Sequence, residues 1–159
     1  MKENQNLFRD LQEDFRKMKK NLLVAQSGGP TAAINATLAG VIKQAIKEEQ
    51  IDQVYGACYG IQGVLEQKFV NLTEKVDTEE KLEKLKRTPA AALGSCRFKL
   101  NDIKEDDSQY QEIVDILHKM NIGYFVYIGG NDSMDTVGKR SRYVKEHQMD
   151  VKVIGIPKT

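Results

Sequence analysis

The rhythm of apolar and polar positions changes near residue 20. Over residues 4–19, Leu7, Phe8, Leu11, Phe15 and Met18 recur at spacings of three and four with charges between them, which predicts a helix carrying one apolar stripe. Such a stripe suits docking on the domain that follows or on another subunit. From Asn21 the pattern becomes a short apolar run, "NLLVAQ", that ends at "SGGP" and leads into the alanine-rich, helically spaced "TAAINATLAGVIKQAIKEEQ". This predicts strand, glycine turn, helix. "IDQVYGACYG" predicts a second strand, and Gly56, Gly60 and Gly63 predict a turn with little side-chain cover. A charged helix near 78–87, a loop of small residues at "TPAAALGSCRF" and an amphipathic helix at "DSQYQEIVDILHKMN" follow. The strand "YFVYIGG", the helix "NDSMDTVGKRSRYVKEHQ" and the strand "VKVIGIP" complete the series. Strands alternating with helices in this order predict an α/β fold, a mostly parallel sheet with helices on both faces.

Composition narrows the functional classes. A chain of 159 residues accommodates one domain with a real core, and its formal charge of +1, with both signs interspersed, offers no basic face for nucleic acid. No apolar run approaches the roughly 20 residues that span a bilayer, and the charged start lacks the apolar centre of a signal peptide. The expectation is a cytoplasmic protein with no membrane partner. Cys58 and Cys96, with His118 and His147, are too few for a disulfide framework or a thiolate zinc site.

Candidate chemistry gathers at strand ends. In open parallel sheets the loops at the carboxyl ends of strands meet in a crevice, and helix N-termini point free amides into it. "SGGPTAA", "GGNDS" and "PKT" all occupy such positions. Gly28 and Gly29 can expose backbone N–H groups to a phosphate, yet neither the dinucleotide fingerprint nor the P-loop is present, and a tight strand-to-helix turn explains the same residues. Asn131 or Asp132 can serve as an N-cap, with Asp132 and Asp135 as a weak capping box; Asn131 can equally orient a magnesium-bound phosphate. Arg97 is suited to a phosphate by its planar fork, or to solvent. Lys158, after Pro157 at a strand end, is placed to reach over the crevice.

Taken together, "SGGPTAAINA", "YGIQGV", "LGSCRF", "IGGNDS" and "IGIPKT", in this order and spacing, resemble the N-terminal part of 6-phosphofructokinases from about Asn21 onward. The resemblance implies an incomplete, Rossmann-like donor-binding lobe over residues 21–159, preceded by an N-terminal helical extension over 1–20. It also implies a phosphotransferase that acts with Mg2+ on fructose 6-phosphate, as a homo-oligomer, dimer or tetramer. ATP-using members of the best-known bacterial type carry Gly-Gly-Asp-Gly-Ser where this chain has "GGNDS", and Pro-Gly-Thr where it has "PKT". Asp132 thus replaces a glycine beside the α-phosphate of ATP, and Lys158 adds a positive charge. The pair resembles the pyrophosphate-dependent branch, and Ile61, where ATP-type members often have tyrosine, agrees.

By the same resemblance, Gly29, Arg97 and Ser133 contact pyrophosphate, and Asp132 and Lys158 set donor specificity and transition-state charge. Asn131 stands at the magnesium position; an amide is a weaker ligand than a carboxylate, which allows contact through water. Thr159 belongs to the substrate site and begins a run whose following Asp is the family's general base, so the chain is expected to precede that base and to be inactive alone. An ATP-dependent 6-phosphofructokinase and a non-catalytic regulatory or binding module of the same fold are the rival expectations.

Overall fold

The computed structural model describes residues 2–158, with the side chains of 15–17 left aside. In chain order the elements are α1 (Lys2–Met18), β1 (Lys20–Gln26), α2 (Ala32–Lys47), β2 (Ile51–Ala57), α3 (Gly60–Leu65) and β3 (Phe69–Asn71). Then come α4 (Leu72–Lys75), α5 (Glu79–Arg87), α6 (Ser108–Lys119), β4 (Ile122–Gly129), α7 (Asn131–Glu146) and β5 (Lys152–Pro157). The strands form one sheet in the order β3-β2-β1-β4-β5. β2, β1, β4 and β5 are parallel, and β3 alone runs antiparallel, as an edge.

β1 and β4 lie at the centre because their apolar runs are covered on both faces, as parallel sheets require. Successive side chains alternate between those faces. Leu22, Val24, Val126 and Ile128 pack with Ile34, Leu38 and Ile42 of α2, which recur every four residues on one side of that helix. Leu23, Ala25, Phe125 and Tyr127 point the other way, onto Val64 of α3, Ile113, Ile116 and Leu117 of α6, and Val137 of α7. Each of the larger side chains among these that is buried contributes roughly 1.5–3 kcal/mol of transfer free energy. α2 and α7 therefore leave adjacent central strands on opposite faces of the sheet. That divergence opens the crevice described below.

Two local features depart from the sequence expectation. Residues 60–65 are a short helix rather than an open turn, and β3 follows it. Gly63 makes this possible: a Cβ there would lie 1.6 Å from the Cys58 carbonyl oxygen. The close approach lets Lys68 N donate to Gly63 O at 2.8 Å and Cys58 N to Lys68 O at 2.9 Å, which lays residues 69–71 beside β2. The second departure is at the N-terminus. α1 forms as expected, but Leu7, Phe8, Leu11 and Met18 are exposed, so the apolar stripe does not dock on the domain behind it; the Phe15 side chain lies outside the described residues. No described helix is long and apolar enough to cross a membrane.

Candidate functional site

At the carboxyl ends of β1 and β4 three loops converge on a cleft of about 650 Å³. Ser27, Gly28 and Gly29 follow β1, Gly130 to Ser133 follow β4, and Cys96 to Leu100 come from the long loop after α5. Gly28 has φ +79°, a left-handed conformation suited to glycine, and a Cβ there would stand 3.4 Å from Gly130 N and 3.7 Å from Lys158 Nζ. Lys158 ties these segments together. Its backbone N donates to Gly129 O at 2.9 Å, and its ammonium donates to Gly29 O.

Two helix N-termini face this cleft without side-chain caps. α2 starts after Thr31, which is extended but makes no side-chain cap bond, and α7 starts after Gly130, which has no side chain to offer. By contrast, α4 is capped by Asn71, which accepts from Glu74 N, and α5 by Thr78, which accepts from Lys81 N. Asn131 is thus the first residue of its helix rather than its cap. The Asp132–Asp135 capping box does not form either: Asp135 pairs instead with Lys139 at 2.9 Å. Asn131 and Asp132 are exposed in the first turn of α7, where a negative charge suits the helix dipole. Ser133 lines the cleft but is buried beneath Gly129, at which a Cβ would lie 2.3 Å from the Ser133 Oγ. Tyr127 forms the floor, and burial pushes its phenol up from the ordinary value against the opposing influence of Ser27, Arg140 and Ser133.

The loop that carries Arg97 has no regular structure across residues 88–107, yet its start is firmly held. Asn35, fully buried on α2, donates from Nδ2 to Thr88 O at 2.8 Å and to Ala90 O at 2.5 Å, and its Oδ1 accepts from Ala92 N at 2.9 Å and from Gln26 Nε2 at 3.2 Å. Gln26, also fully buried at the end of β1, accepts from Leu93 N at 2.9 Å. Ser95 Oγ then donates to Gly28 O at 2.8 Å. These bonds bring Arg97, exposed and without a salt bridge among the described residues, to the cleft mouth.

Of the residues singled out in the sequence, Gly29, Arg97, Asn131, Asp132 and Ser133 all line this cleft, and Lys158 contacts its glycine loop. Thr159 lies outside the described residues. Gln26, Asn35 and Tyr127 were not anticipated; the available signal was polar residues at positions whose spacing otherwise places them inside.

The family model described as phosphofructokinase matches residues 21–159, the whole chain beyond α1. The chain belongs to the phosphofructokinase family. It is 42% identical over 141 residues to the pyrophosphate–fructose 6-phosphate 1-phosphotransferase of Rhodospirillum rubrum, an alignment that covers 89% of this chain and 33% of that protein. A crystal structure of the pyrophosphate-dependent phosphofructokinase from Nitrosospira multiformis superposes with a TM-score of 0.80 at 37% identity, covering 88% of this chain and 34% of that one. Relatives also include an ATP-dependent 6-phosphofructokinase from Bacteroides thetaiotaomicron, 30% identical over 139 residues, which covers 86% of this chain and 38% of that protein. This phosphofructokinase chain therefore spans about a third of the length of the pyrophosphate-dependent relatives it resembles.

Proposed function

We propose that the full-length protein carrying this chain transfers a phosphoryl group from pyrophosphate to the 1-hydroxyl of fructose 6-phosphate, and that residues 21–159 form its donor-binding part. The observation that carries this reading is a pair of residues: Asp132, exposed in the first turn of α7 and lining the cleft, and Lys158, whose ammonium is fixed on the Gly29 carbonyl of the glycine loop. A carboxylate beside a phosphate-binding loop repels an additional phosphate and occupies its space. A two-phosphate donor leaves that space empty, whereas a nucleoside triphosphate needs it. The names of the relatives with about 40% identity agree.

The sugar O1 attacks one phosphorus of pyrophosphate, the bridging P–O bond breaks, orthophosphate leaves, and the O1 proton passes to a base supplied by the remainder of the protein. The work of this chain is placement and charge. The Gly29 amide and the Arg97 fork hold donor oxygens, Ser133 adds a hydroxyl from beneath, and Lys158 meets the charge that develops on the leaving phosphate. Thr159 contributes to the sugar side. Among the described residues no three His, Cys, Asp or Glu side chains gather as a metal cage. The amide of Asn131 nevertheless fits a magnesium ion that keeps water and phosphate oxygens as most of its ligands and is contacted through water. Magnesium, when bound, neutralises phosphate charge. Breaking and making phosphoryl bonds of similar potential makes the reaction reversible, suited to glycolysis or gluconeogenesis. Residues 1–20 form an appended segment that carries α1, and the exposed apolar side chains of that helix favour assembly of the protein as a homo-oligomer, dimer or tetramer.

The test is phosphorylation of fructose 6-phosphate by the full-length protein with magnesium, comparing the two donors. Turnover with pyrophosphate and not ATP is expected. Turnover with ATP alone refutes the role given to Asp132 and Lys158, and turnover with neither refutes the enzyme reading in favour of a binding module.

A further inference from the structure

Arg140 stands on the side of α7 turned to the sheet, where it is only 4% exposed. None of its three guanidinium nitrogens has a hydrogen-bond partner among the described residues. The guanidinium carbon lies 5.2 Å from the centroid of the Phe125 ring, a cation–π contact that offsets part of the cost of burial. Around it is a cavity of about 20 Å³ walled by Tyr110, Leu117, Phe125, Tyr143 and other aromatic or aliphatic side chains, with no carboxylate among them. Burial pulls the guanidinium down to about 10, which leaves it charged at neutral pH. A leucine or methionine would fill the same place without an unpaired charge, so packing gives no reason for an arginine here.

The location gives one. Tyr110 lines both the cavity around Arg140 and the donor cleft, the Tyr127 phenol at the cleft floor feels the Arg140 charge, and Lys139, the preceding residue, lines the cleft. Tyr110 is thus a wall shared by the pocket that holds the charge and by the cleft. Charges enclosed in apolar surroundings act through a low effective dielectric and are poorly screened by salt. We propose that Arg140 is a positioning residue that holds the polyanionic donor in the cleft through its field, without touching it. This rests on the reading of the cleft as a pyrophosphate site and adds the source of part of its anion affinity.

The experiment compares wild type, R140M and R140K in the full-length protein. Measurements are pyrophosphate binding by calorimetry, steady-state kinetics at low and high salt, and thermal unfolding. R140M is expected to raise the Kd and KM for pyrophosphate about tenfold at either salt concentration. It should leave kcat and the KM for fructose 6-phosphate within about twofold and raise the unfolding midpoint, because an unpaired buried charge is removed. R140K is expected to retain most of the affinity. A purely structural arginine would behave oppositely, losing stability and activity together. An R140M protein that fails to fold, or unfolds at lower temperature than wild type, shows that the guanidinium has a partner elsewhere and overturns the proposal. So does an active wild type whose pyrophosphate affinity is unchanged in R140M. A wild type that neither binds nor uses pyrophosphate overturns the donor reading itself, and this inference with it.

Discussion

Asn35→Ala tests how the donor cleft is held. The side chain is fully buried and makes four hydrogen bonds, two donated to Thr88 O and Ala90 O and two accepted from Ala92 N and Gln26 Nε2. Thr88, Ala90 and Ala92 are exposed residues, so their backbone groups can turn to water once released, and each bond lost there costs near the ordinary net value of about 1 kcal/mol. Gln26 is different. It is fully buried, and its Nε2 would keep only a 3.4 Å contact with Ile34 O, so stranding that donor costs a further 1–3 kcal/mol, by the usual order of magnitude. The expected loss is about 4–6 kcal/mol in urea unfolding of the full-length protein. A rise of the pyrophosphate KM should accompany it, because the same loop carries Arg97. Asn35→Asp should be worse at neutral pH, since a carboxylate would face two carbonyl oxygens with no proton to donate. A loss below about 1 kcal/mol together with an unchanged donor KM would refute the reasoning, and would mean that the loop is held from elsewhere.

Asp132→Gly is expected to shift the ratio of ATP to pyrophosphate use by at least about tenfold toward ATP, measured as kcat/KM for each donor; an unchanged ratio removes Asp132 from donor choice. Gly63→Ala should destabilise the protein by about 3 kcal/mol in urea unfolding, because the new methyl would lie 1.6 Å from the Cys58 carbonyl oxygen and α3 must shift; a neutral effect would contradict that packing. Tyr127→Phe should flatten the alkaline limb of stability. The folded state keeps the Tyr127 proton past the pH at which the unfolded chain releases it, near 10.0, so this group's contribution is full below that pH and is lost as pH rises through the higher folded value. Unfolding midpoints from pH 9 to 11 that fall equally in both proteins would count against it.

Much of the architecture was legible because it follows from periodicity. The apolar run "NLLVAQ", the four-residue spacing of Ile34, Leu38 and Ile42, and "YFVYIGG" announce a parallel strand-helix-strand core, and the rule that ligand loops sit at strand carboxyl ends then brings Gly29, Asn131 and Lys158 together. What was not legible depends on long-range contact. Asn35 sits on the buried face of an alanine-rich helix, but its partner is hidden until the loop more than 50 residues away lands on it. β3 is three residues long and exists because Gly63 lets the chain turn back. Arg140, within the charged "GKRSRYVKEHQ", has the sequence surroundings of a surface residue. The cap reading of Asn131 failed for a local reason: Gly130, extended and lacking a side chain, already occupies the cap position.

The charge inventory of the cleft argues that its lining alone is too weakly positive for a donor with several negative charges. Arg97, Lys99 and Lys139 face it, but so do Asp132 and Asp135, and Lys139 is already paired with Asp135. Lys158 is engaged with the Gly29 carbonyl. The remaining attraction must come from groups that a count of surface charges misses. Two helices begin at the cleft with uncapped amides, each equivalent to roughly half a positive charge, and the buried Arg140 guanidinium sits in a pocket that shares Tyr110 as a wall with the cleft. These sources are fixed by the fold, so on the proposed reading they would need little rearrangement during phosphoryl transfer. A site built this way gains anion affinity from its frame and leaves its exposed side chains, Asp132 first among them, to decide which anion is admitted.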